Sequence, residues 1–166
     1  MIIRKERPWD VERISEVTRA AFENHPFSQQ TEEFIIHALR AADVLTISLV
    51  AEVAGKVAGH IAFSPVTISD GTAGWYGLGP VSVLPERQKQ GIGKSLVLEG
   101  LSLLKAVGAK GCALVGDPKY YERFGFRNIT GLIHEGIPQE VFLVLPFEEK
   151  AAQGTVVFHE GFRATC

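Results

Sequence analysis

The chain has 166 residues, 46% of them hydrophobic and 22% charged, with a formal net charge of −2. That length suits one compact domain, residues 1–166, with a core of its own, and the composition excludes disorder and a coiled coil. Near-neutral charge argues against a general nucleic-acid binder, and no apolar run reaches the roughly 20 residues of a membrane-spanning helix, so a cytoplasmic location without nucleic acid or membrane partners is expected.

In chain order, residues 2–7 read as a short strand, and the N-terminal Met-Ile-Ile-Arg-Lys-Glu-Arg lacks the apolar core of a signal peptide. Pro8 then opens a helix whose apolar stripe is Val11, Ile14, Val17, Ala21 and Phe22. The run Asn24-His25-Pro26-Phe27-Ser28 breaks it. Phe34, Ile35, Ala38, Leu39 and Ala42 predict a second helix ending near Asp43. Residues 45–53 and 56–68 read as hairpin arms around Ala54-Gly55, and a second turn at Ser69-Asp70-Gly71 leads into a strand over 74–84. Beyond Pro85, Leu96, Leu98, Leu101, Leu104 and Val107 mark an apolar helix that Gly108 stops. The short apolar stretch 111–115 reads as a buried strand and 118–124 as a short helix with Gly125 as its C-cap. Late strands are expected at 141–145 and 155–158.

Residues 79–94, Gly-Pro-Val-Ser-Val-Leu-Pro-Glu-Arg-Gln-Lys-Gln-Gly-Ile-Gly-Lys, join a strand end, a proline stop, a cationic glycine loop and a helix start. Gly91 and Gly93 clear the first helical turn, so backbone N–H groups and the helix dipole can face a polyanion. Arg87, Lys89 and Lys94 add full charges. Two other glycine-loop patterns fail by position: a Walker A loop needs glycine where Gln88 stands, and a dinucleotide fingerprint needs glycine or alanine where Leu96 stands. Upstream, Pro80 lacks an N–H, and Gly77 and Gly79 weaken strand pairing around it, a combination that suits a bulge or break in the ladder. Only Cys112 and Cys166 are present, without metal-ligand spacing, and His25, His37, His60, His134 and His159 are scattered, so no metal is expected. Cys112 reads as a small buried hydrophobe.

The stretch from Gln88 to Gly93 resembles the acyl-CoA pyrophosphate loop of the GNAT superfamily of acyltransferases. A second run, Asp117-Pro118-Lys119-Tyr120-Tyr121-Glu122-Arg123-Phe124-Gly125-Phe126, resembles that superfamily's tyrosine-to-Gly-Phe segment. With His60 in Gly-His-Ile-Ala-Phe-Ser-Pro, the pair is similar to a YhbS-type bacterial branch, and the order of elements matches along nearly the whole chain. The resemblance implies an α/β fold with a mixed, mostly antiparallel central sheet, splayed middle strands and helices on both faces. It also implies acetyl-CoA as co-substrate, held by Gln88, Lys89, Gln90, Gly91, Ile92, Gly93 and Lys94, and by the peptide groups of Val81, Ser82 and Val83 acting as an extra strand would.

In that register Tyr121 points at the thioester sulfur and serves both as cofactor contact and as acid to the departing thiolate, while Tyr120 reads as a packed aromatic. Asp117 reads as a helix N-cap, and Leu114 stands where many relatives carry an asparagine. His60, or else Glu52, on the hairpin arms beside the acceptor cleft, is the candidate base acting through water. Asn24, His25 and Phe27 are placed at the acceptor rim. The implied function is transfer of acetyl to a primary amine, small molecule or protein, by direct attack in a ternary complex. The alternative is a non-catalytic acyl-CoA-binding regulatory module. The resemblance also allows a homodimer through the C-terminal strands.

Overall fold

The computed structural model describes residues 1–150 and 152–166. A mixed sheet of mostly antiparallel pairs runs in the order β1 (Ile2–Lys5), β2 (Ile47–Val53), β3 (Lys56–Ile68), β4 (Trp75–Val83), β5 (Gly111–Val115) and β7 (Phe142–Pro146). Two further short strands lie off this path. β6 (Leu132–Ile133) pairs with β8 (Gly154–Phe158), and β8 pairs with the far end of β3.

Helix α1 (Val11–Phe22) follows a single turn at Pro8–Asp10, and α2 (Glu32–Ala41) lies beside it. Their apolar stripes, Ile14 and Val17 on α1 and Ile36 on α2, pack with Val50 and Val57 on one face of the sheet. Helix α3 (Ile92–Ala106) covers the other face, where Ile92, Leu96, Leu101 and Leu104 meet Leu49, Ile61 and Phe63. Each fully buried Leu of this kind is worth about 1.5–3 kcal/mol relative to exposure, so two independent apolar seams clamp the sheet from both sides. A third cluster, Val66, Trp75, Ala113, Phe142 and Val156, closes the end of the sheet near β8.

The expected helices and strands are present, with ends moved by a few residues. The late additions are β6, only two residues long, and the bend that lets one β3 strand pair with β4 and then β8. Short α4 (Pro118–Tyr121) continues as a single tighter turn, Glu122–Phe124, and ends at Gly125 with φ +93°. Asp117 caps it as expected, its carboxylate accepting from the Lys119 N–H at 3.0 Å.

Candidate functional site: an open seam between two strands

The only parallel neighbours on the main path are β4 and β5, and they pair just at Trp75–Gly111, Tyr76–Cys112 and Gly77–Ala113. Beyond Gly77 the two strands part. Leu114 and Val115 go on pairing with β7, whereas Val81, Ser82 and Val83 go on pairing with β3. Between Ile61 and Phe63 on β3 the register shifts, because β4 carries one extra residue around the cis Gly79–Pro80 peptide. The expected bulge and splay therefore coincide.

Backbone parity decides which peptide groups face the open seam. The Leu84 N–H donates to the Ala58 carbonyl at 2.9 Å, so groups two residues back, on Ser82, also turn toward β3. Those of Val81 and Val83 turn the other way, into the seam. This corrects the expectation for Ser82: its peptide is used by β3, and only Val81 and Val83 offer theirs to a ligand. The Val83 carbonyl already accepts from Gln88 Nε2 at 3.2 Å, which ties the glycine loop to the end of β4. Gln88 is thus an anchor of the loop.

At the mouth of the seam the chain makes one turn, Pro85–Arg87, and enters α3 through Gly91, whose φ of +85° is the left-handed region glycine favours. The first α3 ladder bond runs from the Ser95 N–H to the Gly91 carbonyl at 3.0 Å. The N–H groups of Ile92, Gly93 and Lys94 precede that ladder and point out of the helix end, the arrangement that binds anions. A β-carbon on Gly93 would lie 3.2 Å from Tyr120 Oη. Tyr120, read from sequence as packing alone, therefore stands beside the loop. Arg123 lies 4.6 Å over its ring and donates Nε–H to its carbonyl at 2.8 Å.

A cavity of about 410 Å³ opens next to this loop between α3 and α4, lined by Lys94, Leu98, Lys119, Glu122, Arg123 and Phe124. It combines three cations and one anion with an apolar wall. A second cavity of about 360 Å³, between α1 and α2, includes Glu16, Glu23, Glu32 and the Arg19–Glu33 pair at 2.9 Å. The adjoining turn carries Asn24, His25 and Phe27, all exposed, Phe27 to 91%.

Tyr121 lies on the α3 face of the sheet. Its ring rests on Gly116, where a β-carbon would come within 2.6 Å of it, and meets Phe126 at 6.0 Å between ring centres. Burial pushes the phenol above its usual value, with smaller contributions from Tyr120 and Cys112. Its hydroxyl has no hydrogen bond to any described residue. Leu114 is core, and so is Cys112, whose thiol burial pushes upward.

His60 does not line the cleft as expected: it is wholly buried on the α1–α2 face, opposite Ser82 of β4. Nε2 sits 2.7 Å from Ser48 Oγ, Ser48 also bonds Glu6, and Glu6 takes both arms of Arg40 at 2.9 and 3.0 Å. Burial, partly opposed by Glu6, pushes the imidazole down to about 4. Glu52, the other candidate, stands two strands from β4 and accepts from Arg4 at 3.3 Å. No group of three or more metal-ligating side chains, and no helix long and apolar enough to cross a membrane, occurs among the described residues.

The family model for the acetyltransferase (GNAT) domain matches residues 45–128, the stretch that holds the hairpin, the seam, the glycine loop and Tyr121. Among curated proteins, the uncharacterized N-acetyltransferase YhbS of Escherichia coli (strain K12) is 38% identical over 127 residues, 76% of this chain and 73% of its own. Among solved structures, a GNAT family acetyltransferase of Brucella melitensis in complex with acetyl-CoA is 52% identical, with TM-score 0.87 over 97% of each chain. Escherichia coli YhbS in complex with CoA is 31% identical, with TM-score 0.89 over 99% of this chain and 93% of its own.

Proposed function

From the premise that the chain belongs to the GNAT acetyltransferase family, we propose that it moves an acetyl group from acetyl-CoA to a primary amine by direct attack in a ternary complex. One observation carries the reading: β4 loses its β5 partner after Gly77, and the strand so freed leads through one turn to the free N–H groups at the start of α3. The pantetheine amides would pair with the free edge at Val81 and Val83, as an added strand does. The pyrophosphate would sit on Ile92, Gly93 and Lys94 N–H groups, with Lys89 and Gln90 in the turn before them. The cavity of Lys94, Lys119 and Arg123 suits the 3′-phosphoadenosine end, its Phe124 and Leu98 wall taking the base. Residues 1–166 act as one domain.

Three services are needed for acyl transfer. An amine of pKa about 10.4 is almost wholly protonated at pH 7, so its proton needs an exit. The tetrahedral oxyanion needs a donor, which the seam-facing N–H of Val83 supplies. The thiolate needs a proton, which Tyr121 relays from solvent through a hydrogen bond of its otherwise unpartnered hydroxyl. The described structure holds Cys112 buried in the core and Cys166 at the terminus, so neither suits a covalent acyl relay.

The test is thermal. Acetyl-CoA at a hundred times its dissociation constant should stabilise the fold by about 2.7 kcal/mol, raising the melting temperature by about 5–10 °C. Gly91→Glu places a bulky anion at the left-handed position of the loop and should abolish the shift. No shift in the wild-type protein overturns the reading. A non-catalytic acyl-CoA-binding module would show the shift but no CoA release with any amine.

A further inference from the structure

Five buried side-chain polar atoms have no hydrogen-bond partner among the described residues; two are on Arg4 and Arg40, and the other three, on β3 and β4, are His60 Nδ1, Ser82 Oγ and Ser64 Oγ. Their residues are 0%, 1% and 0% exposed. An unpaired buried polar group is costly, so a cluster of them beside a reaction seam calls for a role. His60 and Ser82 are directly opposed across β3 and β4, which puts their β-carbons about 5 Å apart on one face.

The bonds on the other side of the ring assign its tautomer. Glu6 is ionised, held below the usual carboxylate range by the hydrogen bonds of Arg40 and Ser48 against the opposing effect of burial. An ionised carboxylate only accepts, so the Ser48 hydroxyl donates to Glu6, and its oxygen must accept from His60 Nε2–H. Nδ1 then carries a lone pair with no partner among the described residues. Hydrogen bonds run from His60 through Ser48 to the half-buried Glu6–Arg40 pair, and Ser82, opposite the ring on β4, is one side-chain rotation short of joining them.

We propose that the buried row Ser82–His60–Ser48–Glu6 is the path by which the attacking amine's proton leaves the seam for solvent. The inference rests on the amine-acetylation reading above. As the N–C bond forms, the amine's proton passes, through one water, to Ser82 Oγ, whose own proton passes to His60 Nδ1 once the hydroxyl has turned toward the ring. The Nε2 proton goes to Ser48 Oγ, and the Ser48 proton to Glu6 and on to water. The thiolate, held by the Tyr121 hydroxyl hydrogen bond, takes a separate proton that the phenol relays from solvent, so the products are amide and thiol. Rotation of the hydroxyls and return of the imidazole to its Nε2–H tautomer reset the row. Neither titrating station traps the proton, because both stay deprotonated at neutral pH. The charged groups acting on the ring are Glu6 after β1, Asp10 before α1 and Arg40 on α2. Ser82, Ser48 and Glu6 are positioning residues under this assignment.

The experiment follows CoA release with a panel of spermidine, lysine methyl ester and an Ala-initiated peptide, across pH 6–10, in H₂O and D₂O. Ser82→Ala and Ser48→Ala should each lower kcat about 10- to 100-fold and change the solvent isotope effect, with the acetyl-CoA dissociation constant unmoved. Ser48→Thr should restore the rate. The wild-type profile should rise with the amine's own ionisation and show no inflection near 6.5. Imidazole ¹⁵N NMR, with His60→Gln for assignment, should show Nε2–H. Unchanged kcat and isotope effect in both alanine variants, with Tyr121→Phe still impaired, overturn the relay alone. An Nδ1–H tautomer overturns it too. Acetyl-CoA binding without CoA release from any amine of the panel overturns the acetylation reading and the relay together.

Discussion

Replacing Tyr121 by phenylalanine separates chemistry from folding more cleanly than any other change in this protein. The ring is held by Gly116, Phe126 and, edge-on at 4.9 Å, Tyr120, and all of these contacts survive the substitution. The hydroxyl has no protein hydrogen bond to lose, so stability should stay within about 0.5 kcal/mol and the melting temperature within about 2 °C. Its burial raises the phenol above 10, while a thiol sits near 8.5. Full proton transfer to the thiolate is then uphill by more than about 2 kcal/mol, and the phenol acts by a hydrogen bond that tightens as the C–S bond breaks. That places the loss of kcat toward the low end of general-acid effects, about 100-fold. The same upward shift keeps the phenol protonated through pH 10, so the wild-type kcat should show no alkaline fall below that. Steady-state CoA release, with acetyl-CoA affinity measured by calorimetry, reads both quantities. A Tyr121→Phe protein that binds acetyl-CoA and turns over within twofold of wild type refutes the acid assignment.

Dephospho-CoA lacks the 3′-phosphate assigned to Lys94, Lys119 and Arg123, and should bind about tenfold more weakly than CoA; calorimetry giving equal constants would leave that cavity without its ligand. Acid stability should report His60. Below about 6.5 the unfolded chain takes up a proton on this imidazole, whereas burial keeps the folded ring neutral until about 4, so stability present above 6.5 is lost as pH falls through that window, by up to about 3 kcal/mol. Urea midpoints at pH 7 and pH 4.5 measure it, and His60→Gln should flatten that part of the curve; equal slopes in the two proteins would refute it.

The glycine loop, the bulge at Gly79-Pro80 and the Asp117 cap were legible because each is built from neighbours in sequence, where local rules on φ, missing N–H groups and helix ends decide the outcome. The row from Ser82 to Glu6 was not. Its members lie at positions 6, 48, 60 and 82, and they meet only because β2, β3 and β4 pair antiparallel in one register and α2 brings Arg40 over Glu6. Ser48 offered a faint signal, a lone hydroxyl among apolar strand residues. Ser82 was read for its peptide alone, yet parity from the Leu84–Ala58 bond sends that peptide to β3 and leaves the side chain as the informative group. Tyr120 was undervalued for a similar reason: its nearness to Gly93 depends on how α4 returns against α3, which spacing within 117–126 does not encode.

The two faces of the sheet divide the proposed chemistry between them. Tyr121 belongs to the α3-side cluster with Ile92, Leu96 and Phe126, while His60, Ser48 and Ser82 lie under α1 and α2. An acetyl group lying in the seam between β4 and β5 would therefore meet a proton donor from one face and a proton exit from the other. Here a sheet of buried side chains, with Val81 and Val83 turned to the α3 side and Ser82 to the other, keeps the two apart. Alternation along one strand thus does double work: it presents two peptide groups to the cofactor and assigns the flanking side chains to opposite faces.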